Sequence, residues 1–315
     1  MAVLQPVKLL PACKNNLWGG VKLREQFGIQ TDVDPLAEAW VLSAHPDGES
    51  VVVGGEYDGL PFSQYLKAAG DVCGKNVAQF EKFPMLIKFI DAKQPLSLQV
   101  HPDDRYAART AGESGKVEMW YILSAEEGAY LYNGFSRPVT ENEVRTRIDD
   151  GTLDQLLRAV PVKAGDMFFV SPGTVHAIGA GIVICEIQQS SDTTYRLYDY
   201  DRRDKDGNRR ELHVDKALAV SHLIPTPLKT PAPEGYLASC RYFAVRVRAV
   251  DGEYTDILTD ATYTSLVAVD GEGSFDVGGE TYPLKKGDSY FIPAGDGTLT
   301  VRGKVNILLS TIPEV

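Results

Sequence analysis

Short apolar runs with polar positions interleaved recur along the chain, separated by turn residues. The clearest are Leu96–Val100, Glu118–Leu123, Met167–Val170, Ile182–Ile187, Tyr263–Val269 and Ser289–Ile292. Alternation with a period of two marks a strand with one buried face. Runs of this length between regularly spaced turns predict an all-β sandwich or barrel, not alternating βαβ units. Helical periodicity is confined to Phe62–Ala69, Glu141–Ile148, Leu153–Val160 and Val214–Ser221. Helices are therefore expected as decorations of a β scaffold, in insertions at about 60–80 and 138–160.

Pro225–Pro233 (PTPLKTPAP) holds four prolines in nine residues. Proline cannot donate to a β-ladder and restricts its predecessor, so this segment reads as a semi-rigid linker between 1–224 and 234–315. A repeat crosses it. Residues 165–176 read GDMFFVSPGTVH and residues 287–298 read GDSYFIPAGDGT, at an offset of 122. Both blocks are a Gly-Asp turn, a strand and a glycine-containing turn, which predicts a duplicated β-barrel unit. The copies differ at their last position, where His176 is matched by Thr298. A metal site using that histidine would exist in the first copy and be lost in the second.

Composition narrows the class. With 43% hydrophobic and 24% charged residues in 315, the chain is globular rather than disordered or fibrous. No apolar stretch approaches ~18 residues, and no signal peptide or membrane span is expected. Cys13, Cys73, Cys185 and Cys240 are scattered without a CxxC pair, which fits a reducing cytoplasm. The net charge of −11 argues against nucleic acid or an anionic membrane as a partner. Taken alone it also argues against an anionic substrate. Residues 196–210 run the other way, with six basic and four acidic side chains.

Four positions combine into one candidate centre. In LSLQVHPDD, Ser97, Gln99 and His101 share a face if the segment is a strand. Glu118 sits in the otherwise apolar GKVEMWYIL, where a buried carboxylate is costly unless paired or bound to a metal. His176 closes the first repeat block. Two imidazoles, a carboxylate and an amide oxygen suit Zn²⁺, with Mn²⁺, Fe²⁺ or Co²⁺ as alternatives. Arg196 follows SSDTT and stands among Tyr195, Tyr198 and Tyr200, where a guanidinium can stack or grip a carboxylate or phosphate. His45, His213 and His222 read as structural. GxSxG, GxxxxGK and GxGxxG motifs are absent.

These blocks resemble the type I phosphomannose isomerases, zinc enzymes of the cupin superfamily, in their short bacterial form. The resemblance runs through NLWGG (16–20), EAWVLSAHP (38–46), LSLQVHPDD, GKVEMWYIL, SPGTVHAIGAG and SSDTTYRLYDYDR. It implies two cupin-type jelly-roll barrel units with small helical insertions, the C-terminal unit lacking metal ligands. It implies one Zn²⁺ per chain on Gln99, His101, Glu118 and His176, with Arg196 and Lys116 in the active site. The phosphate-contacting positions would be Ser97 and Arg202. The implied reaction interconverts mannose 6-phosphate and fructose 6-phosphate through an enediolate. The base is left open among a zinc-bound hydroxide, Lys116 and Glu186. An iron-dependent cupin oxygenase and a non-catalytic sugar-binding bicupin are the alternatives. A cytoplasmic monomer that binds a small sugar phosphate is expected.

Overall fold

Residues 5–110, 114–228 and 232–314 are described by a computed structural model, and they build three antiparallel β-sheets. The first sheet has six strands in the order Met167–Val170, Glu118–Ala125, Ile182–Gln189, Met85–Ala92, Glu38–Leu42, Ala12–Lys14. Met85–Ala92 and Ile182–Gln189 are buried at every position. Both faces of this sheet are covered, which is why its central strands read as continuous apolar runs. One face, with Ile90, Trp120, Ile122 and Ile184, packs on Leu96, Leu131 and Ile178. The other, with Ile87, Phe89, Met119 and Cys185, packs on Phe243, Val245, Phe291 and Leu308 of the C-terminal part.

The second sheet has five strands in the order Tyr195–Tyr198, Leu98–Val100, His176–Ala177, Tyr130–Phe135, Leu157–Pro161. Its outer face carries the helices Glu141–Asp149 and Val214–Val220, whose Val144, Ala217 and Leu218 bury Leu98, Val100, Ala177 and Leu197. Thr140 starts the first of these helices by accepting from the Glu143 amide at 3.2 Å. Ser/Thr at the N-cap with Glu three residues on is a sequence signature for a helix start. The third sheet contains the long strands Phe243–Leu258, Thr264–Val277 and Gly297–Thr311 around a core of Leu266, Phe275, Leu284, Ile292 and Leu309.

The repeat is the same local structure twice. Gly165 and Gly287 adopt φ of +88° and +93°. Asp166 accepts from the Lys163 amide at 2.9 Å, and Asp288 from the Lys285 amide at 3.1 Å. Gly165 donates to Ile122 and Gly287 to Ala268, each at 2.9 Å across to the neighbouring strand. A glycine that supplies positive φ and an aspartate that closes the turn explain why Gly-Asp recurs.

Two expectations need correction. Leu153–Val160 is not one helix: a single 3₁₀ turn at Leu153–Leu156 leads into the strand Leu157–Pro161. Leu153, Leu156, Leu157 and Val160 fit helical spacing, but Leu157–Pro161 pairs with Tyr130–Phe135, and Arg158 donates to the Asn133 carbonyl. Tertiary pairing overrides a short apolar pattern. The strand Val7–Leu10, placed by sequence within 1–224, lies in the C-terminal sheet, with Val7 opposite Phe291 and Leu10 opposite Val51. Its Val7 and Leu9 are buried against that part's core. Of the linker, residues 229–231 lie outside the described residues. The short helices Lys22–Phe27 and Asp104–Thr110 were not foreseen. No helix among the described residues is long and apolar enough to cross a membrane. All four cysteines are unpaired.

Candidate active site

The first two sheets face each other, and the metal-ligating residue types meet between them. Glu118 begins a strand of the six-stranded sheet. Gln99 and His176 come from neighbouring strands of the other sheet and stand directly opposite one another. Paired residues of antiparallel strands point to one face, and Arg196 is Gln99's partner on its other side. His101 lies just past the same strand as Gln99.

His101 Nε2 lies 3.4 Å from Glu118 Oε2, and His176 Nε2 lies 3.3 Å from Glu118 Oε1. One ligand atom from each of the three residues falls within a 4.8 Å cluster. The rings are held from behind: His101 Nδ1 meets the Thr193 carbonyl and His176 Nδ1 the Thr174 carbonyl, both at 2.9 Å. A carbonyl only accepts, so each Nδ1 carries the proton and each Nε2 presents a lone pair to the carboxylate. Burial, then Lys116, holds the His101 imidazole down to about 3, and burial also lowers His176, so both rings are neutral. Both Nε2 atoms and both Glu118 oxygens are buried without a hydrogen-bond partner among the described residues. Lone pairs facing lone pairs across 3.3–3.4 Å repel unless a cation sits between them. The residues therefore fit a metal, and the N/N/O donor set with the Gln99 amide nearby fits zinc.

Lys116 sits 3.0 Å from Glu118 Oε2 as a buried ion pair. Burial would push Glu118 up, but the Lys116 ammonium outweighs it and holds the carboxyl well below the usual carboxylate range. Burial likewise disfavours the Lys116 charge, but Glu118 and Glu186 outweigh it and hold the ammonium above the ordinary lysine value. Ser97 Oγ donates to Gln99 Oε1 at 3.4 Å and accepts from Arg196 Nε at 3.3 Å. Arg196 Nη1 donates to the Glu211 carbonyl at 2.9 Å, and its backbone amide donates to His213 Nδ1.

A cavity of about 310 Å³ opens beside this cluster and is lined by Ser97, Gln99, Lys116 and Arg196. Arg202 lies outside it, in a neighbouring cavity, with its guanidinium on Asp199 and the Pro95 carbonyl. Lys88, Glu38 and Asn16 also line the site without having been singled out by sequence, and Arg210, from the basic run 196–210, joins them. Lys88 is buried, 3.5 Å from both Glu38 and Glu186, and 4.6 Å from the Trp40 ring centre. A lysine inside MLIKFI was a legible signal, by the same cost argument that singled out Glu118. Glu186 accepts from Trp120 Nε1 at 3.0 Å, while its Oε2 has no hydrogen-bond partner among the described residues. Burial, then Glu118, pushes the Glu186 carboxyl up. The cavity wall carries four cationic and three acidic side chains, so its local balance opposes the −11 of the whole chain.

Residues 7–131 match the family model for the phosphomannose isomerase type I catalytic domain, and 234–312 that for the mannose-6-phosphate isomerase cupin domain. The mannose-6-phosphate isomerase of Streptococcus mutans is 39% identical over 313 residues, spanning 97% of this chain and 98% of its own. The crystal structure of the Bacillus subtilis mannose 6-phosphate isomerase superposes with a TM-score of 0.87 at 34% identity, covering 97% of this chain and 99% of that one. A mannose 6-phosphate isomerase crystallised with zinc and yttrium shares the fold, with a TM-score of 0.77 at 20% identity over 98% of this chain and all of its own.

Proposed function

The chain belongs to the type I phosphomannose isomerases, and from that premise we propose that it interconverts mannose 6-phosphate and fructose 6-phosphate beside Gln99, His101, Glu118 and His176. Those four residues would hold one zinc ion. The observation that carries the reading is the buried cluster of His101 Nε2, His176 Nε2 and Glu118 Oε1, which have no hydrogen-bond partner among the described residues, with Glu118 Oε2 facing His101 and Lys116, next to a cavity whose wall includes Lys88, Lys116, Arg196 and Arg210. Bound there, zinc supplies Lewis acidity toward the sugar oxygens.

Moving the carbonyl from C1 to C2 requires one proton to pass from C2 to C1 and another from the C2 hydroxyl to the C1 oxygen, through an enediolate. Carbon at C2 is a weak acid, so the base must be placed well and the developing oxyanion met by positive charge. Glu186 is the base in this reading. It is buried, its carboxyl is raised above its ordinary value by burial and then Glu118, and its Oε2, 3.5 Å from Lys88 Nζ, belongs to a side chain on the cavity wall. One carboxylate on one face of the planar enediolate can take the C2 proton and return it to C1. Lys116 stays protonated beside Glu118 and serves as a donor, not a base. Arg196 cannot be a base at any working pH and supplies positive charge to the oxyanion or phosphate. Ser97 links Arg196 to Gln99 and offers its hydroxyl at the cavity wall.

The test is a coupled assay with mannose 6-phosphate, on protein as purified, after chelation, and after metal return. Turnover lost on chelation and restored by Zn²⁺ is expected. Full activity in metal-stripped protein removes the zinc role. Bound sugar phosphate without turnover points to a binding protein, and oxygen consumption restored by Fe²⁺ points to an oxygenase.

A further inference from the structure

Between the strand Tyr195–Tyr198 and the helix Val214–Val220 the chain makes a hairpin, closed by the bridge Arg203–Arg209. Tyr200 and Asp201 enter it in the left-handed region, at φ of +54° and +59°. Two successive non-glycine residues there are strained and persist only where surroundings hold them. What holds them is Asp199, a buried carboxylate gripped by two arginines. Arg202 contacts it through Nε at 3.1 Å and through Nη2, and Arg210 through Nε at 2.7 Å and Nη2 at 2.6 Å.

The two arginines then differ. Arg202 has every nitrogen occupied, since its Nη1 donates to the Pro95 carbonyl at 2.6 Å. Arg210 keeps Nη1 without a partner among the described residues and lies on the wall of the 310 Å³ cavity, which Arg202 does not reach. Arg196 lies on the same wall with Nη2 likewise free of a hydrogen bond. Burial, then Arg210, pulls the Arg196 guanidinium below its ordinary value, which places the two cations within electrostatic reach. Arg202 and Arg210 thus share one buried carboxylate, Arg196 contacts none among the described residues, and each of the two guanidiniums on the cavity wall keeps one nitrogen without a hydrogen bond there. Guanidinium nitrogens left open on one cavity wall are the groups that take phosphate oxygens.

We infer that Arg210, aimed by Asp199, binds the dianionic phosphate of the substrate together with Arg196, and that Arg202 braces the hairpin instead. This rests on the sugar-phosphate reading of the cavity. Arg210 stands eight residues beyond Arg202, on the return arm of the hairpin, so register alone does not point to it.

The experiment compares wild type, Arg210→Ala, Arg210→Lys and the control Arg209→Ala, which removes the same charge from an exposed neighbour paired with Asp201. Each is assayed for KM and kcat with mannose 6-phosphate, and titrated calorimetrically with inorganic phosphate. Losing a charge-assisted hydrogen bond predicts a rise of roughly ten- to a hundredfold in KM and in the phosphate Kd for Arg210→Ala. The kcat should change far less, Arg210→Lys should recover part of the loss, and Arg209→Ala should match wild type. Unchanged phosphate binding in Arg210→Ala, or an equal loss in Arg209→Ala, overturns the inference. A wild type that binds phosphate through Arg210 but does not turn over mannose 6-phosphate overturns the isomerase reading and leaves this one standing.

Discussion

Replacing Lys116 by methionine separates a charge role from a packing role at the centre of the site. The two side chains have similar volume, so the change removes the ammonium and little else. Lys116 and Glu118 are 4% and 0% exposed, and Nζ lies 3.0 Å from Oε2. In metal-free protein the change leaves a buried carboxylate uncompensated, which costs about 3–5 kcal/mol and lowers Tm by on the order of 10 °C. In zinc-loaded protein the ion supplies the missing charge, so the cost should fall to about 1 kcal/mol, the level of an ordinary polar substitution. Linkage then requires tighter metal binding in the variant. A difference of about 2–4 kcal/mol between the two forms is a gain of roughly 30- to 1,000-fold in zinc affinity. Denaturant titrations of chelated and zinc-loaded protein give the first quantity, and competition against a chelating dye gives the second. Turnover should fall even though the metal is held more tightly. Equal destabilisation in both forms, or an unchanged zinc affinity, would refute the charge argument and reduce Lys116 to a packing residue.

His176→Ala should lose both metal and turnover, whereas Arg196→Ala should keep a full equivalent of zinc by elemental analysis and lose most of kcat/KM. Metal loss in the arginine variant would mean that the Arg196–Ser97–Gln99 chain is structural. Glu186 is raised above its ordinary value near 4.5, by burial first and Glu118 second. A base must be ionised, so kcat/KM should fall as pH drops through that raised value. Glu186→Gln should abolish this acid limb and lower the rate by about 10²–10⁴; a surviving limb assigns it to another group.

Much of the site was legible because its chemistry is local in sequence. Gln99 and His101 are two apart on a strand, Glu118 is a carboxylate in an apolar run, and His176 ends a repeated turn motif. Each is marked by a cost that a short segment cannot meet alone. The same logic reaches Lys88, a lysine inside the apolar run MLIKFI. It does not reach Arg210. Arg202 and Arg210 both stand in one charged run, and their difference lies in which guanidinium Asp199 and the Pro95 carbonyl occupy.

The sequence by itself determined the β scaffold, the duplicated Gly-Asp turn, the replacement of His176 by Thr298 in the second copy and the side chains proposed to hold the metal. Alternation and turn chemistry act over a few residues, and they specify which side chains share a face. Tertiary structure alone decided what those faces meet. It brought Glu118 of one sheet against His101 and His176 of the other, and set Lys88 between Glu38 and Glu186. It also put Val7–Leu10 into the C-terminal sheet, beside a strand about 280 residues later, and turned Leu157–Pro161 from a helical pattern into an edge strand. The negative charge of the chain was plain from its composition, but the cationic wall of the cavity was not. Charge at a point depends on which segments fold around it, and these segments lie too far apart in sequence for any local pattern to join them.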